Sequence, residues 1–212
     1  MKTLVYLKPL IFAAALAPAA ALVYRFFTND LTADPTDYLT DQTGSWALAF
    51  LIISLVITPI RRLTGWNPVI KLRRMLGLFA FFYGVLHLTV WVLFYHFFDV
   101  GQMMEDVVER PFITVGMGTF LILLALALTS NRFAVRRLGR RWQTLHRLVY
   151  VAAIGAVVHF WWLVKADVTE PRRWAIALAA LLGLRVWWAV QKRAAVRRAV
   201  ASAIDTRPST SS

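Results

Sequence analysis

The chain has 212 residues, of which 59% are hydrophobic and 17% charged, with no cysteine and a formal net charge of +13. A soluble domain has about 45–50% apolar and about 25% charged residues, so this composition reads as an integral membrane protein. The missing cysteines exclude disulfides, thiolate metal sites, thiol nucleophiles and c-type haem attachment, which needs Cys beside His.

A helix needs about 20 apolar residues to cross the hydrocarbon core. Segments 8–26, 44–60, 75–97, 112–129, 143–164 and 173–190 predict six spans. The first, KTLVYLKPLIFAAALAPAAAL, has the basic start and small residues of a signal peptide. Its apolar run exceeds the usual limit of about 15 residues and ends in Tyr24, Arg25, Phe26 and Phe27, which favours a retained span. Loop 27–43 carries Asp30, Asp34, Asp37 and Asp41 with no Lys or Arg. Loop 61–74 carries Arg61, Arg62, Lys71, Arg73 and Arg74 with no acid. Loop 98–111 is acidic again, with Asp99, Glu105, Asp106 and Glu109 against Arg110. Loop 130–142 holds Arg132, Arg136, Arg137, Arg140 and Arg141; loop 165–172 is mixed; the tail carries Lys192, Arg193, Arg197 and Arg198.

With six spans the basic loops share one side, and the positive-inside rule makes both termini cytoplasmic. The surplus charge is then topological and calls for no nucleic-acid partner. The expected fold is an all-α integral membrane protein: a six-transmembrane-helix bundle over 1–190 and a basic cytoplasmic tail over 191–212. The end of that tail, DTRPSTSS, has no hydrophobic face and is expected to be disordered. No repeat of 20–50 residues and no separate soluble domain is evident.

An ionisable residue inside the bilayer is a functional hypothesis by default, and imidazole is a common metal and haem-iron ligand. The four candidates are His87, His96, His146 and His159. Counted from Arg74 and Arg141, His87 is 13 residues deep, His159 is 18 and His146 is 5. At about 1.5 Å per residue these depths are about 20, 27 and 8 Å. His87 and His159 thus match best. Gly84 precedes His87 by three residues and Gly155 precedes His159 by four, each on its histidine's own face. Such notches would admit a flat group or a neighbouring helix. The bland alternative is a histidine that hydrogen-bonds a neighbouring helix. His146, in RRWQTLHR, suits a headgroup contact as well as ligation, and His96, among Tyr95 and Phe97, reads as interfacial. His146 and His159 differ by about 220° on an ideal helix, so joint ligation needs a distortion, for which Gly155 is the candidate, or two groups on different sides.

No G-x-G-x-x-G, Walker, H-E-x-x-H or G-x-S-x-G motif occurs. The tail of about 22 residues is too short for a flavin- or NADPH-binding domain. The spans hold no acid, which argues against an Asp- or Glu-based proton-coupled transporter. Arg185 is expected to snorkel to the interface, with contact to a propionate as the sharper reading. Arg73 and Arg74 fit the positive-inside signal; they also suit haem propionates, a flavin phosphate or a quinone head.

Several stretches resemble a known family: ITPIRR, RRMLGLFAFFYGVLHLTVW, ERPFITVGM, LALTSN and LGRRWQTLHRLVYVAAIGAVVHFWW. In that order and spacing they are similar to the MsrQ (YedZ) family, within the ferric reductase-like transmembrane group that includes NADPH oxidases. The resemblance covers nearly the whole chain. It implies a haem b protein of the bacterial inner membrane. Such a protein passes electrons from the quinone pool, or a cytosolic flavin reductase, to MsrP, a periplasmic molybdenum-dependent methionine sulfoxide reductase. The family's haem-associated histidines fall on His87, His146 and His159, and FMN is a further implied cofactor. Three histidines complete only one bis-histidine pair, so the resemblance implies one haem, or two if a further residue supplies the missing ligand. His87 and His159 are expected to ligate one haem iron, with His146 at a second or alternative site. The enzyme chemistry would lie on the partner. Two other readings remain: a stand-alone ferric reductase-like oxidoreductase, and a non-redox scaffold or transporter.

Overall fold

The computed structural model describes residues 2–164 and 166–205, with side chains at 7–164 and 166–199. Nine α-helices follow one another in that part of the chain, without a β-strand. They are α1 (Lys2–Phe27), α2 (Pro35–Thr64), α3 (Ile70–Val90), α4 (Val100–Glu109), α5 (Pro111–Leu128), α6 (Arg132–Leu138), α7 (Arg140–His146), α8 (Leu148–Leu163) and α9 (Thr169–Asp205). A 3₁₀ turn at Asn67–Val69 leads into α3, and a π-helical turn at Trp91–Tyr95 extends it. Six stretches are long and apolar enough to cross a membrane: Leu7–Phe27, Pro35–Thr64, Asn67–Tyr95, Pro111–Leu128, Arg140–Leu163 and Thr169–Ala199. The expected all-α, six-span, multi-pass architecture is the one observed.

The connections are more helical than expected. Asp34 caps α2 by accepting the Asp37 N–H at 3.0 Å, and Pro35 occupies the first turn, where its missing N–H costs nothing. The acidic stretch 35–43, expected as loop, is therefore the start of α2. Gly65 ends that helix at φ +68, a left-handed position that suits glycine. Loop 98–111 contains amphipathic α4, capped by Asp99 through the Gln102 N–H at 3.1 Å. Loop 130–142 contains α6, capped by Asn131. Helix α9 runs unbroken to Asp205, so most of the expected tail continues the sixth span. Residues 206–212, most of the polar end expected to be disordered, lie outside the described residues.

Packing is most extensive between α2 and α3, then between α5 and α8, so the core is two helical pairs. Leu51, Leu55, Ala80, Tyr83, Ala152 and Ala153 form its buried centre. The alanines let backbones approach closely, as small residues do between membrane helices. Helices α1 and α9 flank the pairs and expose large apolar side chains such as Leu10, Val23, Ile176 and Val186. In a multi-pass membrane protein those faces meet lipid.

Two prolines inside helices free backbone groups that distant side chains then satisfy. Near Pro18 the ladder of α1 opens, and the Tyr83 hydroxyl inserts into it. Tyr83 is fully buried, donates to the Ala15 carbonyl at 2.8 Å and accepts the Ala19 N–H at 3.0 Å. Tyr83→Phe leaves both backbone groups unsatisfied in a dry site, and should cost about 1–3 kcal/mol. Thermal unfolding of the detergent-solubilised chain measures it; an unchanged midpoint would show that the hydroxyl is dispensable. In α2, Pro59 has no N–H to donate to the Leu55 carbonyl. Arg185 Nη2 donates to that carbonyl instead, while Nη1 donates to the Leu181 carbonyl at 3.1 Å. Its guanidinium lies over the Tyr150 ring, 5.4 Å from the centroid. Arg185 thus turns into the bundle, against the expectation that it snorkels to the interface.

Candidate functional site

The helices alternate between an end rich in Arg and an end rich in Asp and Glu. Between the two helical pairs, toward the acidic end, lies a cavity of about 790 Å³. That is within the range of about 300–1,000 Å³ usual for cofactor and small-molecule sites. His87 from α3 and His159 from α8 both line it, with ring centroids 6.1 Å apart and ring planes at 85°. The depth match read from the sequence does bring these two together.

Each imidazole is held in the same way by the helix it faces. His87 Nδ1 lies 3.0 Å from the Thr40 carbonyl of α2, and His159 Nδ1 lies 2.7 Å from the Phe112 carbonyl of α5. A carbonyl only accepts, so both Nδ1 atoms carry the proton and both Nε2 atoms keep a lone pair. Neither Nε2 has a hydrogen-bond partner among the described residues. Four residues after each carbonyl stands a glycine. A Cβ at Gly44 would lie 3.1 Å from the His87 ring, and one at Gly116 would lie 2.7 Å from His159 Nδ1. Carbonyl and histidine are 47 residues apart in both cases. The α2–α3 and α5–α8 pairs therefore repeat one arrangement at an offset of 72 positions. This offset exceeds the 20–50 residues over which a repeat was sought in the sequence.

The glycines singled out in the sequence do other things. Gly84 faces Phe120 and Leu123, and Gly155 is closed by Thr119. The notches belong to Gly44 and Gly116 on the partner helices. Sequence reasoning missed them because periodicity relates residues on one helix and is silent about which helix stands opposite.

His146 and the two arginines lie elsewhere. His146 stacks on Trp142 at 3.9 Å, with Nδ1 3.2 Å from the Trp142 carbonyl and Nε2 3.4 Å from Ser130 Oγ. It does not line the cavity, and neither do Arg73 and Arg74 in the first turns of α3. Arg73 is half-buried and Arg74 exposed. The expected distortion near Gly155 is absent, since α8 runs straight through it. The break is at Arg147, where Arg147 N–H bonds the Thr144 carbonyl and Tyr150 N–H bonds the Arg147 carbonyl. Those three-residue spacings shift the helical phase, so His146 and His159 both approach the α5 side, at opposite ends. His96, read as interfacial, is buried against Trp91 and lines the cavity.

The geometry fits an iron bound between two imidazoles. A metal–nitrogen distance of about 2 Å on each side holds the ring centroids about 6 Å apart, as seen here. Carbonyl-bound Nδ1–H groups orient both rings, the usual outer support of ligating histidines. No cluster of three or more His, Cys, Asp or Glu groups able to hold a bare metal ion occurs among the described residues.

Residues 43–157 match the family described as ferric reductase like transmembrane component. The chain is 49% identical over 207 residues to the protein-methionine-sulfoxide reductase heme-binding subunit MsrQ of Herminiimonas arsenicoxydans, covering 96% of this chain and 94% of that one. It is 48% identical over 195 residues to the protein of the same name from Bordetella pertussis, covering 90% and 94%. The like-named protein of Xanthomonas euvesicatoria is 46% identical over 209 residues, covering 96% and 94%. No solved structure matches significantly. By identity and coverage the chain belongs to the MsrQ family, within the ferric reductase-like transmembrane group.

Proposed function

We propose that this chain is the haem b electron-transfer subunit of a methionine sulfoxide reductase system in the bacterial inner membrane. The observation that carries the reading is the His87–His159 pair, with both Nε2 lone pairs free in one cavity. When bound between them, haem supplies a one-electron carrier. His87 and His159 would together hold the iron, and two imidazole ligands would favour electron transfer over oxygen binding. The carbonyls of Thr40 and Phe112 fix the two tautomers, and Gly44 and Gly116 give the rings room. Leu48, Leu51, Phe120 and Phe160 make up an apolar part of the cavity wall.

The positive-inside rule sets the basic end and both termini in the cytoplasm. The cavity then lies nearer the periplasm, where it would deliver electrons to MsrP. The quinone pool, or a cytosolic flavin reductase, would load them from the other side. His146, with Arg73 and Arg74, is the proposed second site, at the basic end. At the 72-residue offset Arg74 stands where His146 stands in the other pair, so the chain has no second bis-histidine pair. Two guanidinium groups suit an anion, and FMN, implied by the family resemblance, would place its phosphate there.

In membranes holding the chain and its periplasmic partner, quinol-driven reduction of methionine sulfoxide is expected to require both proteins. Partner-independent reduction of ferric chelates would instead favour a stand-alone ferric reductase, the reading that the matched family's description supports.

A further inference from the structure

We propose that a second, smaller cavity at the acidic end binds the phosphate of a phospholipid headgroup. It lies between α1 and α2, has a volume of about 240 Å³ and shares no lining residue with the histidine cavity. Pro18, Leu22 and Arg25 of α1 face Tyr38, Gln42 and Trp46 of α2 across it. Both sets follow helical spacing, so each is one face of its helix. Pro18 opens the ladder of α1 there, and α1 packs only sparsely on α2, which leaves the gap.

The lining supplies donors, and no Asp or Glu belongs to it. Arg25 Nη1 donates to the Tyr38 hydroxyl at 2.6 Å, which leaves the phenol proton and the other guanidinium N–H groups free. Arg25 forms no ion pair among the described residues, although Asp30, Asp34, Asp37 and Asp41 are close in sequence. The Gln42 amide and the Trp46 indole N–H also lack a hydrogen-bond partner among the described residues. Convergent donors around one guanidinium select an anionic oxygen ligand, and the guanidinium fork suits a phosphate.

Depth selects a lipid over a free anion. Arg25 and Tyr38 stand at the end of α1 and the start of α2. Trp46 is eight residues further along α2, about 12 Å deeper. Polarity falls along that depth, from guanidinium and phenol through an amide to indole and proline. A phospholipid presents its phosphate, its glycerol esters and its acyl chains in the same order. Val23, Tyr24 and Phe26 are exposed on α1 beside Arg25, where acyl chains would lie against the helix.

The test titrates phosphatidylglycerol, diacylglycerol of the same chains and inorganic phosphate into the delipidated, detergent-purified full chain. Native mass spectrometry counts what each chain retains. Wild type should hold its tightest phosphatidylglycerol about tenfold better than diacylglycerol, the effect of one hydrogen bond to a charged group. Arg25→Gln should remove that preference by weakening phosphatidylglycerol alone, whereas Arg132→Gln, at the basic end, should keep it. Gln42→Leu should weaken phosphatidylglycerol about fivefold, the effect of one neutral hydrogen bond, and decides the matter if Arg25→Gln fails to fold. Equal retention of diacylglycerol, equal losses in Arg25→Gln and Arg132→Gln, or unchanged binding in Arg25→Gln would overturn the inference. Inorganic phosphate that displaces the lipid at matched concentration would show a free-anion site and overturn it too. None of these outcomes depends on haem, so each leaves the proposed function standing.

Discussion

Purified after haem-replete expression, the His87→Ala and His159→Ala variants should each lack the one haem that the proposed function assigns to the parent. The two imidazoles share one cavity, so on the proposed pairing removing either would take away one of the two protein ligands and leave a void where the ring stood. The loss should be near complete in the Soret band. His146→Ala should retain this haem, because His146 does not line the cavity and is tied to Trp142 and Ser130. Absorbance and redox titration of the three variants read the result. Full haem in His159→Ala with loss only in His146→Ala would sink the pairing.

The second large effect comes from a residue with no chemistry of its own. Gly116→Ala should cost about 10–100-fold in haem affinity, the range seen when the outer support of a metal ligand is disturbed. Alanine is the better helix former by about 0.5–1 kcal/mol, so propensity alone predicts a more stable helix. The added Cβ, however, would sit 2.7 Å from His159 Nδ1. The ring cannot simply step aside, since that nitrogen is bound to the Phe112 carbonyl one turn earlier on the same helix. Gly118→Ala is the matched control, because nothing lies within 4 Å of its Cβ position. Gly44→Ala should act in the same direction but less strongly, with the His87 ring at 3.1 Å. Equal haem content in Gly116→Ala and Gly118→Ala would show that the seam has slack.

Much was legible beforehand because a bilayer imposes simple rules. Only apolar stretches of sufficient length can cross it, so composition and spacing located six spans within a few residues at most boundaries. Depth along a helix follows from counting residues, which paired His87 with His159 and set His146 apart. Asp34 and Pro35 carried the signal for the early start of α2, but a reading based on apolar runs passes over a polar first turn. Amphipathic α4 escaped for the same reason.

The sequence by itself determined the membrane class, the span number, the charge asymmetry and the matched depth of two histidines, all consequences of one-dimensional counts. The tertiary structure alone decided which helix each imidazole faces, that Gly44 and Gly116 make room for the rings, and that Thr40 and Phe112 fix their protons. It also decided that His96 turns inward and that Arg185 fills the gap left by Pro59. These contacts join residues far apart in the chain, and they depend on helix rotation and pairing, which hydrophobicity barely constrains when lipid and core are equally apolar.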